Sequence, residues 1–474
     1  MVDLQTEDIQ GIIVTGYGHL IYSSYIFLHI DEPTQAKQWL HKIAADMTTA
    51  KWETESGKQK PSAALNIAFT CHGLEKLGLP KDSLKTFSEE FLQGIATEVR
   101  ANRFGDTQDS HPKHWEIGSS LTPEKYPIIH TLLIVQAATK AELTLLCQKH
   151  LDLAASLGVR QVGEVQQGYL PLDAKEHFGF HDSISQPNIE GSPKQPTDNQ
   201  PVVKAGEFVL GYPNEYDQLP STPTVPQELD VQHHLSKIEH HTNTDKPQLR
   251  DLGRNGSYMV FRKLHQDVAA FRRYFRDQVE DPQERELIAA KFIGRWSDGT
   301  PLAIAPQPHD HPQESNLNNF YYQQTDPHGY GCPLGAHIRR VNPRDSLGSD
   351  PQESIKSVNR HRLVRRGALY GDKLPTGIFE DDGQPRGVLF FCINADIKRQ
   401  FEFVQQTWIN SSKFDGLYDE KDPILGDHEG EGQMTIQRQP VRQRFSGISR
   451  FVSVKGGAYF FLPSISAINF LAEM

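Results

Sequence analysis

Short apolar segments that predict strands alternate along this chain with longer segments that predict helices, and both halves show a similar order. Enrichment in Ile, Val, Phe and Tyr between Gly- and Pro-containing turns favours strands. In the first half, strands are predicted at Ile9–Tyr17, Ser24–Ile30 and Ile128–Gln136, and helices at Pro33–Ala45, near Leu74–Leu77 and at Ala141–Leu157. In the second half, strands are predicted at Ser257–Leu264, Gly387–Ile393, Val452–Val454 and Ala458–Leu462, and helices at Gln266–Val279 and Asp396–Gln406. This order predicts an α+β fold of two packed domains.

The middle of the chain has a different composition, because Asn188–Ala205 and Asn214–Asp251 are rich in Pro, Gln, Asp and His. Such segments are typical of long connecting loops. We therefore predict an N-terminal domain over residues 1–205 and a C-terminal domain over 206–474. The length of 474 residues, with 37% hydrophobic residues, is sufficient for two cores.

Charge and composition narrow the range of partners and compartments. The net charge of −11 argues against general nucleic-acid binding, which requires a basic surface. Neither a leader peptide, a twin arginine nor a long apolar run is recognisable, so we expect a cytoplasmic protein without a membrane partner. The four cysteines lack metal or redox spacing, which predicts reduced, structural thiols.

Three segments contain residues suited to redox chemistry. The first, Gly331–Arg344, reads GCPLGAHIRRVNPR and contains His337, a residue type that ligates haem iron, beside arginines that suit haem carboxylates. The second, Gly179–Pro187, reads GFHDSISQP and presents Asp182, which either transfers protons or serves as a turn or cap residue. The third, His361–Gly371, reads HRLVRRGALYG, and its arginines either stabilise developing negative charge or lie at the surface.

Together, these segments resemble the dye-decolourising peroxidase family. That family has a GxxDG segment, then CPxxAHIRxxNPR, then an Ile or Leu followed by xRRG, and the present chain has GFHDS, CPLGAHIRRVNPR and LVRRG in this order. The resemblance runs from about residue 8 to the C-terminus, with supporting segments at Gly206–Tyr212, Asn255–Arg262, Gly294–Thr300 and Gly387–Phe391. It fits the longer members of the family.

The resemblance implies two ferredoxin-like domains, made of antiparallel sheets with peripheral helices, and one haem b in the C-terminal domain. His337 would be the metal ligand, and Asp182 and Arg365 would be catalytic on the opposite side of the haem. The cofactor would also contact a further set of residues, namely Ser183, Ile184, Ser185, Asn342, Pro343 and Arg344 with Arg365. Arg365 is preferred to Arg366 because the family's arginine directly follows the apolar pair.

The implied activity is reduction of hydrogen peroxide coupled to one-electron oxidation of dyes and other aromatic donors. A homo-oligomer is compatible with this resemblance. Two alternatives use the same fold: a protein that handles haem or releases its iron, and a structural protein without haem. The presence of His337, Asp182 and Arg365 favours the peroxidase.

Three finer expectations follow. Ser183 replaces the second glycine of the family motif, a position where glycine permits positive φ or close approach of a ligand. Asp396 is the expected acceptor for the His337 ring, since such ligands usually donate their second N–H. Alternation along Gly387–Ile393 places Leu389 and Phe391 on one face, which either forms part of the wall on the peroxide side of the pocket or packs in the core.

Overall fold

The computed structural model describes residues 2–51, 53–54, 57–58, 60–118, 127–196, 198–238, 248–308 and 317–474. Eight strands form a closed, antiparallel ring. They are β1 (Tyr22–Ile30), β2 (Ala63–Phe69), β3 (Thr131–Ala137), β4 (Gln166–Tyr169), β5 (Ser257–Gln266), β6 (Ala368–Tyr370), β7 (Gly387–Asn394) and β8 (Val452–Leu462).

Each half of the chain contributes four strands in the same spatial order. The first half is ordered β2-β3-β1-β4, and the second is ordered β6-β7-β5-β8. A single residue pair joins the halves at each seam, Phe69 with Phe461 and Tyr169 with Leu369. The predicted α+β fold with ferredoxin-like antiparallel sheets is confirmed, whereas the boundary at residue 205 stays a prediction.

The principal helices are α1 (Pro33–Ala44), α2 (Lys140–Ser156), α3 (Val268–Gln278) and α4 (His337–Val341). The remaining α-helices are Gly11–Val14, Cys71–Leu77, Lys81–Leu84, Glu89–Gln93, Glu98–Phe104, Pro282–Ile293, Tyr322–Thr325, Pro351–Asn359 and Ile465–Glu473. Lys398–Glu402 and Val404–Ile409 form a wide, π-type helix, and the single 3₁₀ turns are Gln108–Ser110, Pro112–His114, Ala205–Glu207, Gln227–Leu229 and Phe414–Gly416. In the described part of the chain, no helix is both long and apolar enough to cross a bilayer.

Short strands complete the structure. They are Glu53–Thr54, Gly57–Lys58, Val159–Gln161, Asn188–Ile189, Val202–Val203, Thr224–Pro226, Ser236–Lys237, Leu249–Asp251, Val364–Arg365, Gly432–Ile436 and Gln443–Ile448. Val364–Arg365 pairs with β7 and extends the sheet at the edge that matters for the site.

Helix α1 shows why the outer face of the first half is closed. Pro33 occupies the first turn, where its missing N–H costs no helical hydrogen bond. Ala36, Trp39, Leu40 and Ile43 recur at helical spacing and are fully buried against the sheet. The C-terminal helix Ile465–Glu473 packs beside α1 and covers the same layer.

Aromatic side chains from both halves fill the inside of the ring. Phe391 of β7 stacks on Tyr25 of β1, with 4.5 Å between ring centroids, and on Phe261 of β5 at 4.8 Å. All three side chains are buried. Since the interior is filled in this way, a site on the C-terminal half must lie on the outer face of β5, β7 and β8.

The predicted strand Ile9–Tyr17 is wrong, because Gly11–Val14 forms one helical turn instead. Residues Gly11–Val14 are all apolar and all buried. They therefore show no periodicity that would distinguish a strand from a helix. The turn ends at Gly16, whose φ of +62° favours glycine. The predicted strands Val452–Val454 and Ala458–Leu462 are one strand, β8.

Candidate active site

A cavity of about 300 Å³ lies on the outer face of β5, β7 and β8. The strands contribute Leu264, Gln266, Val388, Phe390, Val452 and Val454 to its wall. Eight residues predicted from the sequence also line it: Asp182, Ser183, Ile184, Ser185, His337, Asn342, Arg344 and Arg365. The structure therefore brings together residues that are up to 183 positions apart in the sequence.

Pro343 is the exception among the predicted residues, since the cavity wall in the described part of the chain does not include it. Its carbonyl accepts hydrogen bonds from the Ser346 N–H at 3.0 Å and from the Ser346 hydroxyl at 2.8 Å. Pro343 thus shapes the turn after α4, and the neighbouring Arg344, with φ of +56°, turns back to the cavity.

The ring of His337 is held by a buried carboxylate. Its Nδ1 lies 2.9 Å from Oδ2 of Asp422, and Oδ1 of Asp422 accepts the N–H groups of Ile424 and Leu425, both at 2.9 Å. This arrangement fixes the Nδ1–H tautomer. Within the described residues Nε2 has no hydrogen-bond partner, so it is the nitrogen available for a ligand in the cavity.

Asp422 is a strong acceptor for the ring because it stays ionised. Burial by itself would raise the pKa of Asp422, but the adjacent His337 ring and the N–H of Leu425 outweigh burial and hold the pKa below its usual value. A permanently charged acceptor increases the electron-donating capacity of the imidazole.

The prediction that Asp396 orients His337 is wrong. Asp396 instead begins the π-type helix that follows β7, where its Oδ1 accepts the N–H of Arg399 at 2.9 Å. An aspartate at a helix start satisfies backbone donors that otherwise lack partners. The actual acceptor, Asp422, lies 85 positions after His337, in a segment without any distinctive local pattern.

The arginines that follow His337 divide between two tasks. Arg339 donates to the carbonyls of Asp326 and Cys332 at 3.0 Å, and Arg340 donates to that of Trp408 at 2.6 Å. Both are buried and stabilise loops around α4. Neither belongs to the cavity wall of the described residues, whereas Arg344 does. The Arg344 guanidinium also donates to the carbonyls of Asn318 and Phe320, at 2.9 and 2.7 Å.

Asp182 and Arg365 form an ion pair on the cavity wall. Nη1 of Arg365 lies 3.1 Å from Oδ1 of Asp182, and the same oxygen accepts the N–H of Ser183 at 2.6 Å. Gln186 holds Arg365 from both sides, because its amide accepts the Arg365 N–H at 3.1 Å and donates to the Arg365 carbonyl at 3.3 Å. Ser183 has φ of +66°, a conformation that explains glycine in the family motif.

Opposing influences set the ionisation of Asp182. Burial by itself would raise its pKa, but the Arg365 cation, the Ser183 N–H and the nearby His337 ring together lower the pKa below its usual value. The side chain is 49% exposed, and this surface belongs to the cavity wall. Asp182 is therefore an ionised, accessible base at neutral pH.

Arg366 faces away from the site. Its Nε donates to the carbonyl of Ile12 at 2.7 Å, and its Nη2 donates to that of Val14 at 3.1 Å. These are carbonyls at the end of the first helical turn, where a cation is favourable. Successive strand residues point to opposite faces, so only Arg365 of this pair reaches the cavity.

The expected orientation of β7 is reversed. Val388 and Phe390 line the cavity, whereas Leu389 and Phe391 are fully buried inside the ring. The alternation was predicted, but its phase was not, because all four side chains are apolar. The cavity therefore has Val388 and Phe390, not Leu389 and Phe391, as part of its apolar wall.

A buried arginine without a partner also lines the cavity. In the described part of the chain, the side chain of Arg362 has no hydrogen-bond acceptor, although it is only 7% exposed. Burial and the nearby cations of Arg344 and Arg365 lower the pKa of Arg362 to about 9, so it remains charged at neutral pH. An isolated buried cation is unfavourable, which indicates that this end of the cavity accepts an anionic group. Sequence reasoning missed Arg362, although it stands in the segment that contains Arg365.

Known proteins similar to this chain include several dye-decolorizing peroxidases. A model of the DyP dimeric alpha+beta barrel domain matches residues 8–165. A dye-decolorizing peroxidase of Auricularia auricula-judae is 28% identical over 98% of this chain and 86% of its own length. The multifunctional dye peroxidase DyP2 of an Amycolatopsis species is 28% identical over 94% of this chain and 91% of its own length.

Solved structures agree with these relationships. The fungal DyP-type peroxidase from Auricularia auricula-judae superposes with a TM-score of 0.78 at 25% identity, and the alignment covers 100% of both chains. A DyP-type peroxidase of Anabaena shares the fold with a TM-score of 0.74. Over nearly its whole length, the chain is therefore similar to DyP-type, or dye-decolourising, peroxidases.

Proposed function

We propose that the protein is a haem peroxidase that reduces hydrogen peroxide and oxidises dyes or other aromatic donors in one-electron steps. The observation that carries the proposal is that one cavity is lined by two sets of polar residues held in place by hydrogen bonds. His337, held by Asp422, stands on one wall, and the ion pair of Asp182 and Arg365 stands on another. The names of the relatives, which include dye peroxidases, support the same activity.

The residues present fit haem b. Nε2 of His337 lacks a partner among the described residues and would ligate the iron. The unpartnered guanidinium of Arg362 would bind a carboxylate of the macrocycle, and Val388 and Phe390 would contact its apolar surface. Bound there, haem would supply the redox chemistry, namely two-electron reduction of peroxide and one-electron oxidation of the donor.

Asp182 would move the proton that the reaction requires. Hydrogen peroxide must lose a proton from one oxygen, and the departing oxygen must gain one to leave as water. An ionised carboxylate accepts the first proton and returns it to the second oxygen, directly or through a water molecule. The lowered pKa of Asp182 keeps it ready to accept at neutral pH.

Arg365 would stabilise negative charge as the oxygen–oxygen bond breaks. The guanidinium is oriented before the reaction by its contact with Asp182, and Gln186 holds the backbone of Arg365. A fixed cation in a cavity sheltered from water stabilises developing charge more strongly than mobile solvent does. Asp422 would maintain the orientation of the His337 ring throughout.

The test is to measure haem content and peroxide turnover of the purified full-length chain with an aromatic dye as donor. We expect about one haem per chain and dye oxidation that depends on hydrogen peroxide. Bound haem without turnover would support the haem-handling alternative instead. A protein that neither contains haem nor binds added haem would contradict both functions.

A further inference from the structure

The loop that carries Asp182 is folded around a half-buried carboxylate, that of Glu176. Asp182 donates its N–H to the Ala174 carbonyl at 2.9 Å, and Glu176 donates its N–H to the Phe180 carbonyl at 2.9 Å. These bonds close residues 174–182 into a narrow loop with Gly179, φ of +100°, at its tip. The segment has no helix or extended strand to hold it, so its conformation depends on individual contacts. His177 bonds the Tyr370 carbonyl at 2.9 Å, and His181 donates its N–H to the Ser297 carbonyl at 3.2 Å.

Glu176 supplies contacts from inside this loop. Its Oε1 accepts the N–H of Phe180 at 2.9 Å, and its Oε2 accepts the N–H of Phe178 at 2.8 Å. Oε2 also accepts a hydrogen bond from Nε2 of Gln266, a residue of β5, at 2.6 Å. One carboxylate therefore satisfies two backbone donors of the loop and ties the loop to the ring of strands.

The two aromatic residues that donate to Glu176 anchor the loop on its other side. Phe178 stacks on Phe271 of α3 with 4.3 Å between ring centroids, and Phe180 meets the same ring edge-on at 6.4 Å. The loop can therefore shift only if these rings and the Glu176 contacts shift as well. Asp182 lies two residues after Phe180, directly downstream of this anchor.

We propose that Glu176 is a positioning residue for the peroxidase reaction: its carboxylate fixes the loop so that Asp182 meets Arg365 in the cavity. The expected effect on the rate rests on the proposed function, whereas the contacts between Glu176 and the loop are independent of it. Glu176 also lines the cavity, but its carboxylate accepts three hydrogen bonds from the loop and from β5, so we assign it to the position of the loop.

Glu176→Gln is the variant of choice, because it preserves size and changes only the acceptors. In either orientation the new NH₂ group meets a backbone N–H that formerly donated to an oxygen, so at least one bond is lost. Displacement of a reacting group by about 1 Å can cost roughly 10²-fold in rate. We expect Glu176→Gln to slow the reaction with peroxide by about 10- to 100-fold at unchanged haem content.

Two measurements distinguish positioning from a merely structural role. The first is the rate with peroxide in a double-mutant cycle, where Glu176→Gln should slow the Asp182→Asn variant by less than about twofold. The second is amide hydrogen exchange of residues 174–183, which should accelerate by at least about tenfold in Glu176→Gln. Glu207→Gln is the matched control, because the Glu207 carboxylate likewise accepts a backbone N–H, that of Glu215 at 2.9 Å, but lies outside the cavity wall of the described residues. It should leave both measurements unchanged.

If Glu176→Gln fails to fold, Gln266→Met removes the side-chain donor alone and should produce smaller changes in the same direction. Wild-type exchange rates in the loop of these variants would overturn the proposal, as would an equal slowing of the reaction in the Asp182→Asn background. An unreactive wild-type protein would overturn the proposed function instead, and the exchange measurement would still decide whether Glu176 fixes the loop.

Discussion

At the residue scale, the site depends on two polar pairs whose members come from distant parts of the chain. His337 and Asp182 stand in recognisable segments, and the order of the two arginines made Arg365 predictable. Asp422 was not predictable, because its role comes from burial and from two backbone donors that only the folded chain places there. The neighbouring residues in the sequence identify His337 as a candidate ligand. They do not identify the residue that accepts the hydrogen bond from its ring.

Removal of the His337 ring should release the cofactor. We expect His337→Ala to lose most of its haem, or to hold it weakly with altered absorbance, because this variant lacks the imidazole that the buried Asp422 carboxylate orients in the cavity. Haem content per chain, measured by absorbance after gel filtration, checks this. His150→Ala is the control, since His150 is buried in α2 away from the cavity. Full haem content with an unchanged spectrum in His337→Ala would remove His337 from the role of ligand.

Ser183 should tolerate replacement by the residue of the family motif. A non-glycine residue at φ of +66° costs on the order of 1 kcal/mol, so Ser183→Gly should relieve backbone strain at an entropic cost of similar size. The rate with peroxide should change by less than about tenfold, which corresponds to roughly 1.4 kcal/mol of barrier. A larger change, measured by stopped-flow absorbance, would show that the hydroxyl takes part in the chemistry.

The ionisation of Asp182 predicts how the reaction depends on pH. Its pKa is lowered from the ordinary value of 3.8, and the base acts only when ionised. The rate with peroxide should therefore stay constant as pH falls towards 4 and decline only below the ordinary value. Arg365→Leu removes the main influence that lowers the pKa, so the decline should begin at higher pH in that variant. Identical acid limbs in both proteins would contradict this assignment.

At the scale of elements, the position of β7 in the sheet decides which side chains reach the cavity. Alternation predicts that residues two apart share a face, but Val388, Leu389, Phe390 and Phe391 are all apolar, so the sequence offers no difference between the faces. The pairing of β7 with β5 and the packing inside the ring determine which side chains face the interior and which face the cavity. The one-turn helix Gly11–Val14 was missed for a related reason, since it is buried on all sides.

The two phenylalanines of β7 should respond differently to truncation. Phe391→Ala removes a ring that contacts Tyr25 and Phe261, so we expect a loss of about 3–5 kcal/mol in the free energy of unfolding. Phe390→Ala should cost less stability, because its ring borders a cavity, but it should shift the absorbance of bound haem. Urea unfolding and spectra of both variants check this, and the reverse pattern would contradict the assigned faces.

At the scale of the whole molecule, the site exists because two similar halves close into one ring. The element order predicted the two halves, but not the closure, since each seam is a single pair of residues far apart in the sequence. Asp182 follows the last strand of the first half and reaches the cavity on the second half, where it meets Arg365. The proposed catalytic pair thus requires the assembled molecule.

The most direct test of the account is the rate at which the haem-loaded chain reacts with hydrogen peroxide, followed by stopped-flow absorbance in Asp182→Asn and Arg365→Leu. We expect Asp182→Asn to be slower by roughly 10²–10⁴-fold. Arg365→Leu should be slower by at least about 10²–10³-fold. Its rate should fall at least as much as that of Asp182→Asn, because water can partly replace a carboxylate but not a fixed cation. Asp173→Asn is the control, since Asp173 pairs with Lys373 outside the described cavity wall. If both variants react at the wild-type rate, this face of the cavity is not catalytic and the account is wrong.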